Sequence, residues 1–387
     1  MGSYLILLSV ASFLSISVYE GLVILGILIF LLRGGMAFRG SLRIPLSGYV
    51  LSTLVPTALF FPKMFVKSVS EGLFQVIYFL NPERTGKTLV KLNYIFVLLG
   101  LLGLPVLLYN VTKTNTYKLF WGGHFEVASF YTLFAFASLL IATYLYLQGK
   151  KFNFGVFFYV LLALSFFAVV VFSARRSYLL SIPVVFLALS YLMYRSKLLK
   201  GRYVVLLLVF ILLGGSVAYV FLSTKDVRFK VLNEVVLGKR KLDTNALNII
   251  SSSRLNIMLD GIKIIESDIK EGRYVNLLLG HGIRSGLYLP HEKSPKSWQR
   301  YESIILVSET IERGIIGLVS ILLIYFIAFR EFLRSRVSGG EEVLYLMGMI
   351  PLLVHLVASV FTFFWDALLP LYLLMFKFGE KALRERA

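Results

Sequence analysis

Apolar runs separated by short connectors rich in Lys and Arg decide what this chain can become. Most are roughly 15–22 residues long, enough for a helix to cross a hydrocarbon core. They fall at about 4–18, 21–33, 45–61, 65–81, 93–109, 126–147, 154–172, 178–194, 203–222, 303–329, 343–358 and 361–377. The first lacks the basic start and cleavage site of a signal peptide and is read as a retained span. Twelve spans are expected, forming one all-α, polytopic membrane bundle over 1–387.

Composition supports that reading. Of 387 residues, 58% are hydrophobic and 16% charged, where a soluble domain carries about a quarter charged. The formal net charge of +19 would suggest nucleic acid in a soluble chain, but here the excess sits largely in connectors. With the N-terminus inside, the cytoplasmic connectors are 33–43, 82–91, 149–153, 195–202, 330–342 and the tail from 378. Each holds two or more Lys/Arg, as the positive-inside rule requires. The expected partner is therefore a lipid bilayer and not nucleic acid. There is no Cys and only four His, scattered, so neither disulfide nor metal centre is expected, and no cofactor.

One long polar segment, 223–300, interrupts the runs with fourteen Lys/Arg against eight Asp/Glu. On this topology it lies outside, and its surplus suits an anionic ligand. Within it, Leu255, Met258, Leu259, Ile262, Ile265 and Ile269 recur at spacings of three and four, marking an amphipathic helix over 254–270. Ser251, Ser252 and Ser253 stand at its start and Gly272 beyond its end.

Three constellations have the residue types for chemistry. Arg175 and Arg176 stand between two apolar runs with no room for a loop; they either snorkel to the interface or grip an anion with a guanidinium fork. Arg254 opens the loop helix, and Gly280-His281-Gly282-Ile283-Arg284 follows it, pairing arginines with a glycine turn whose backbone N–H groups suit a pyrophosphate. Glu302, Glu309 and Glu312 carry carboxylates into the next span, where a carboxylate beside arginines is a candidate base for a sugar hydroxyl. His281 offers an imidazole.

In this order the pieces resemble the O-antigen ligase/polymerase family of bacterial membrane glycosyltransferases. The matching residues are Arg176 with Ser177, Arg254, Gly280 and Gly282, then Glu312 with Gly314 and Gly317, so the resemblance covers roughly 170–330. Where ligases of the family carry a His-Asn pair, this chain has Ser303-Ile304, which turns the expectation toward a polymerase. The resemblance implies a GT-C-like bundle of about a dozen helices in the bacterial inner membrane, its active site facing outward. It implies metal-independent, inverting transfer from an undecaprenyl-pyrophosphate-linked oligosaccharide to a hydroxyl of an acceptor glycan or glycolipid. Arg176 and Arg254, with Arg175 and Arg284, would hold the pyrophosphate; Glu302, Glu309 and His281 are the candidate bases. The alternatives are ligation to a lipid A core and, from another class, a transporter or flippase of a lipid-linked or anionic substrate.

Overall fold

The chain folds into helices that cap and break at legible points. A computed structural model describes residues 1–287, 304–361 and 363–384, with side chains left out over 202–213. No strand occurs among the described residues. α1 (Gly2–Leu14) and α2 (Ile16–Leu32) meet at Ser15, whose side chain accepts the Val18 N–H. They fold back on each other, since Tyr4 donates to the Leu22 carbonyl at 2.8 Å and stacks edge-on against Phe30. α3 (Arg43–Phe60) is followed by α4 (Phe65–Gly72) and a 3-10 stretch, Leu73–Phe79. The expected span over 65–81 is thus a broken one, with Glu71 fully buried at the break.

α5 (Thr85–Thr114), α6 (His124–Gly149), α7 (Phe154–Phe172) and α8 (Arg176–Arg195) run up and down the bundle. α6 is apolar nearly all round and buried along most of its length, so it forms the centre; α7 leaves much of its surface exposed, as a lipid-facing helix does. α9 (Gly201–Lys225) leads to α10 (Val227–Val236), α11 (Thr244–Ser251), α12 (Arg254–Lys270) and α13 (Tyr274–Leu279). Asp226 starts α10 and Asp243 starts α11, each accepting a first-turn N–H, from Arg228 at 2.9 Å and Ala246 at 2.6 Å. α14 (Ile305–Arg334), α15 (Glu342–Tyr345), α16 (Ile350–Ser359) and α17 (Leu369–Arg384) complete the bundle.

Among the described residues, five helices are long and apolar enough to cross a membrane (α5, α6, α7, α8 and α14), and the α15–α16 pair, bent by 40°, makes a sixth. These apolar helices mark a membrane protein. The run at 361–377 does not form one helix. Asp366 Oδ1 accepts the Leu368 N–H at 2.7 Å, and α17 begins only at Leu369, with Pro370 in its first turn, where proline costs nothing. One core of buried side chains extends from Leu5 to Leu383. A second, small core joins Ile257 and Ile264 of α12 to Val307 and Ile311 of α14.

The connectors fall at two ends of the bundle. Helix directions put 150–153, 196–200 and 335–341 at one end, with Lys150, Lys151, Lys197, Lys200 and Arg336. The opposite end gathers 115–123, 173–175, the α10–α13 segment, which is itself basic, and the connector 363–368.

Candidate functional site

At that opposite end the α7–α8 turn separates two adjacent arginines. Ala174 adopts a left-handed conformation, φ 53°, and Arg175 is extended, so α8 begins at Arg176. Arg176 turns away to α11, donating to the Ile250 carbonyl and, at 2.8 Å, to Ser252 Oγ. Arg228 also reaches Ser252 Oγ, at 3.3 Å, and its ion pair with Asp226 holds that carboxyl below its ordinary range. What these two arginines hold is a strained turn, because Ser252 and Ser253 are both left-handed, φ 59° and 64°. A non-glycine residue there costs roughly 1–2 kcal/mol. Arg254 follows at once and opens α12.

Arg175 and Arg254 line one cavity of about 310 Å³. Glu126 in the first turn of α6, Ser129, His355 of α16 and Asp366 in the connector 363–368 line it as well; Trp121, Phe125, Phe363 and Trp365 supply aromatic walls. Trp121 is fixed by donating to the Ser12 carbonyl at 2.7 Å, and Glu126 by accepting the Gly123 N–H at 2.6 Å. Burial pushes the Asp366 carboxyl up to about 7, with nearby Glu126 adding to the shift against the Leu368 N–H bond. A carboxyl so placed changes charge near neutrality, where a general base works best. His355 is held by a 2.8 Å bond between Nε2 and the Phe364 carbonyl.

The other residues singled out in the sequence lie elsewhere. The glycine turn docks onto a break in α14: Gly314 has φ 67° and ψ −174°, and the His281 and Gly282 N–H groups donate to the Ile311 and Glu312 carbonyls at 2.8 and 3.1 Å. These N–H groups therefore complete a broken helix and do not point at the cavity. The two backbones meet so closely that a Cβ on Gly280, φ 90°, would fall 2.4 Å from the Glu312 carbonyl oxygen, and one on Gly314 2.2 Å from that of Leu278. The His281 ring bonds Asp268 at 2.8 Å, and Asp268 also takes Arg273 at 2.9 Å.

Beneath that turn is a closed charge cluster. Arg313, fully buried, pairs with Glu309 and reaches Glu312 and Glu71, each at 3.5 Å; its Nε donates to Thr53 at 2.9 Å. Arg284 joins through Glu71 at 3.0 Å and lies 5.9 Å above the Trp365 ring. Glu309 is occupied on both oxygens, by Arg313 and the Phe364 N–H. Glu302 and His291 lie outside the described residues. The structure thus brings together Arg175 and Arg254, puts Arg176, Arg284, His281 and Glu309 into separate bonds, and adds Glu126 and Asp366, which sequence reasoning did not place at the site. The Asp366 carboxyl within an apolar run was the available signal.

No protein-family model matches this sequence. A protein of Aquifex aeolicus (strain VF5), described as an uncharacterized protein, is 45% identical over 387 residues, covering 98% of this chain and 96% of its own length. The chain belongs to the family of that Aquifex aeolicus protein.

Proposed function

We propose that this chain is a membrane glycosyltransferase that joins lipid-linked repeat units, taking a glycan from undecaprenyl pyrophosphate at the outer membrane face. The observation that carries the reading is the shared cavity: two guanidiniums, a carboxyl with a pKa of about 7, and aromatic walls suited to sugar rings. Arg175 and Arg254 bind the pyrophosphate, and their bonds strengthen as the bond from the anomeric carbon to the phosphate oxygen breaks and charge moves onto that oxygen. Asp366, deprotonated, takes the proton of the acceptor hydroxyl, whose oxygen attacks the anomeric carbon from the opposite side and inverts it. Burial raises the basicity of Asp366, and like-charge repulsion from Glu126 adds to it. Arg176 acts one step back, holding the Ser252-Ser253 turn from which Arg254 projects.

The short basic connectors support a cytoplasmic placement of the end that holds 150–153 and 196–200, with the cavity at the outer face of an inner membrane. The full count of twelve spans, with broken and short helices included, belongs to the same reading. A second reading, transport of a lipid-linked anion, draws on the broken α4 and α14, since interrupted helices line transporter sites.

One assay separates them. Purified protein in vesicles is given an undecaprenyl-pyrophosphate-linked repeat unit with chelator present. A ladder of longer lipid-linked glycans supports the polymerase, and a single addition to a lipid A core supports a ligase. Movement of the substrate across the bilayer with no new glycosidic bond would replace the proposal by transport.

A further inference from the structure

A second cavity, about 540 Å³, lies between the last turns of α8 and the C-terminal half of α14. Its walls include Tyr191, Phe326 and Phe329, and its rim includes Arg195, Arg330 and Arg334. Both helices end here, α8 at Arg195 and α14 at Arg334, so the arginines stand at the depth where a bilayer changes from chains to headgroups. The walls face outward: Tyr191 is 53% and Phe326 62% exposed.

The charges at the rim exceed their local complement. Arg195 donates to the Leu333 carbonyl, tying α8 to α14 without neutralising anything. Arg330 donates to Glu331 at 2.9 Å, but Glu331 is shared with Arg384 at 2.7 Å. The Arg330 guanidinium also lies 5.9 Å above Phe326, and its Nε is buried with no acceptor among the described residues. A soluble anion would meet the arginines and leave an apolar slot empty below them. Arginines that merely snorkel would reach water independently, not ring one slot from two helices.

We propose that this slot binds one anionic phospholipid of the leaflet at the end where α8 and α14 terminate, its phosphate among Arg195, Arg330 and Arg334 and an acyl chain against Phe326 and Phe329. Basic pockets between membrane helices on the cytoplasmic side suit such headgroups. The lipid would brace α14, the helix whose other end carries the Gly314 break and the buried charge cluster.

The test uses the full chain in phosphatidylcholine nanodiscs doped with phosphatidylglycerol, with retained lipids counted by native mass spectrometry. Wild type is expected to keep one phosphatidylglycerol in preference to phosphatidylcholine, and the R195Q/R330Q/R334Q variant to lose that preference at least about tenfold. F326W/F329W keeps every charge but fills the slot, and is expected to lose the lipid as well; it decides the matter if the glutamine variant does not fold. R33Q/R39Q/R43Q removes equal charge from another basic connector and is expected to keep it. Retention by both slot variants overturns the proposal. So does equal loss in the connector variant, which means diffuse surface attraction, or equal thermal stabilisation of detergent-solubilised protein by inorganic phosphate alone, which means a soluble anion.

Discussion

Two arginine–carboxylate clusters lie on either side of residues 363–366 and differ in what can reach them. Around Arg313 the charges are sealed: Arg313, Glu309 and Glu71 have no solvent exposure, and the cluster ties α3, the α4 break, the α14 break and the glycine turn into one unit. Around Arg175 and Arg254 the same residue types line open space with aromatic walls. A sealed ion cluster holds broken helices together, because each charge is costly to leave unpartnered. Charges that line a cavity are within reach of a ligand that enters it. The comparison thus divides the arginines that the sequence presents alike into those sealed within the scaffold and those that line a cavity.

The largest expected effect breaks the sealed side. Arg313→Ala leaves Glu309 and Glu71 buried without their guanidinium and should cost about 3–5 kcal/mol of stability. Thermal unfolding in detergent is the measurement, and a melting temperature within error of wild type would remove the distinction between the clusters.

Next comes the open side. Arg175→Ala and Arg254→Ala should each cost on the order of 2–4 kcal/mol of transition-state stabilisation while leaving the unfolding temperature near wild type. Lysine should restore little, since it keeps the charge but lacks the fork. Arg176→Lys then sharpens the contrast between neighbours: its loss should be smaller and should follow displacement of α12. Turnover per folded protein in which Arg176→Lys suffers more than Arg175→Lys would reverse the two roles.

A third prediction concerns pH. With the Asp366 carboxyl pushed up to about 7, it is neutral below that value and cannot accept a proton. Activity should rise about tenfold from pH 6 to pH 8, following the deprotonated fraction. Asp366→Asn should abolish most turnover and flatten that limb. A limb that persists unchanged in the variant would assign the base elsewhere, Glu302 included.

The smallest effect tests the strained turn beside the cavity. Ser253→Gly relieves a left-handed conformation, φ 64°, at the entry to α12, and should stabilise the protein by roughly 0.5–1 kcal/mol. A destabilised variant would mean that the Ser253 side chain holds the turn.

What the sequence determined by itself is set by local patterns. Apolar length and short basic connectors mark the bundle, since both depend on the order of residue types along the chain. The loop helix covers Arg254–Lys270, the residues its apolar spacing marks. Its buried face, however, was not legible: Ile257, Asp260, Gly261, Ile264 and Asp268 turn inward, while Leu259, Ile262 and Ile269 stay exposed. That choice reflects partners brought from far along the chain, such as His281 for Asp268 and Ile311 for Ile264. The same holds for the arginines. Arg175 and Arg176 differ by one position, and only the left-handed Ala174 and the approach of Ile250 and Ser252 decide which of them lines the cavity. Asp366 is one polar residue in an apolar run until the start of α17 at Leu369 leaves it in a buried connector that lines the same cavity as Arg254. Residue type sets what a side chain is able to do, but its surroundings set its charge and its reach, and in this chain those surroundings come from segments up to hundreds of residues away, as with the Thr53–Arg313 bond.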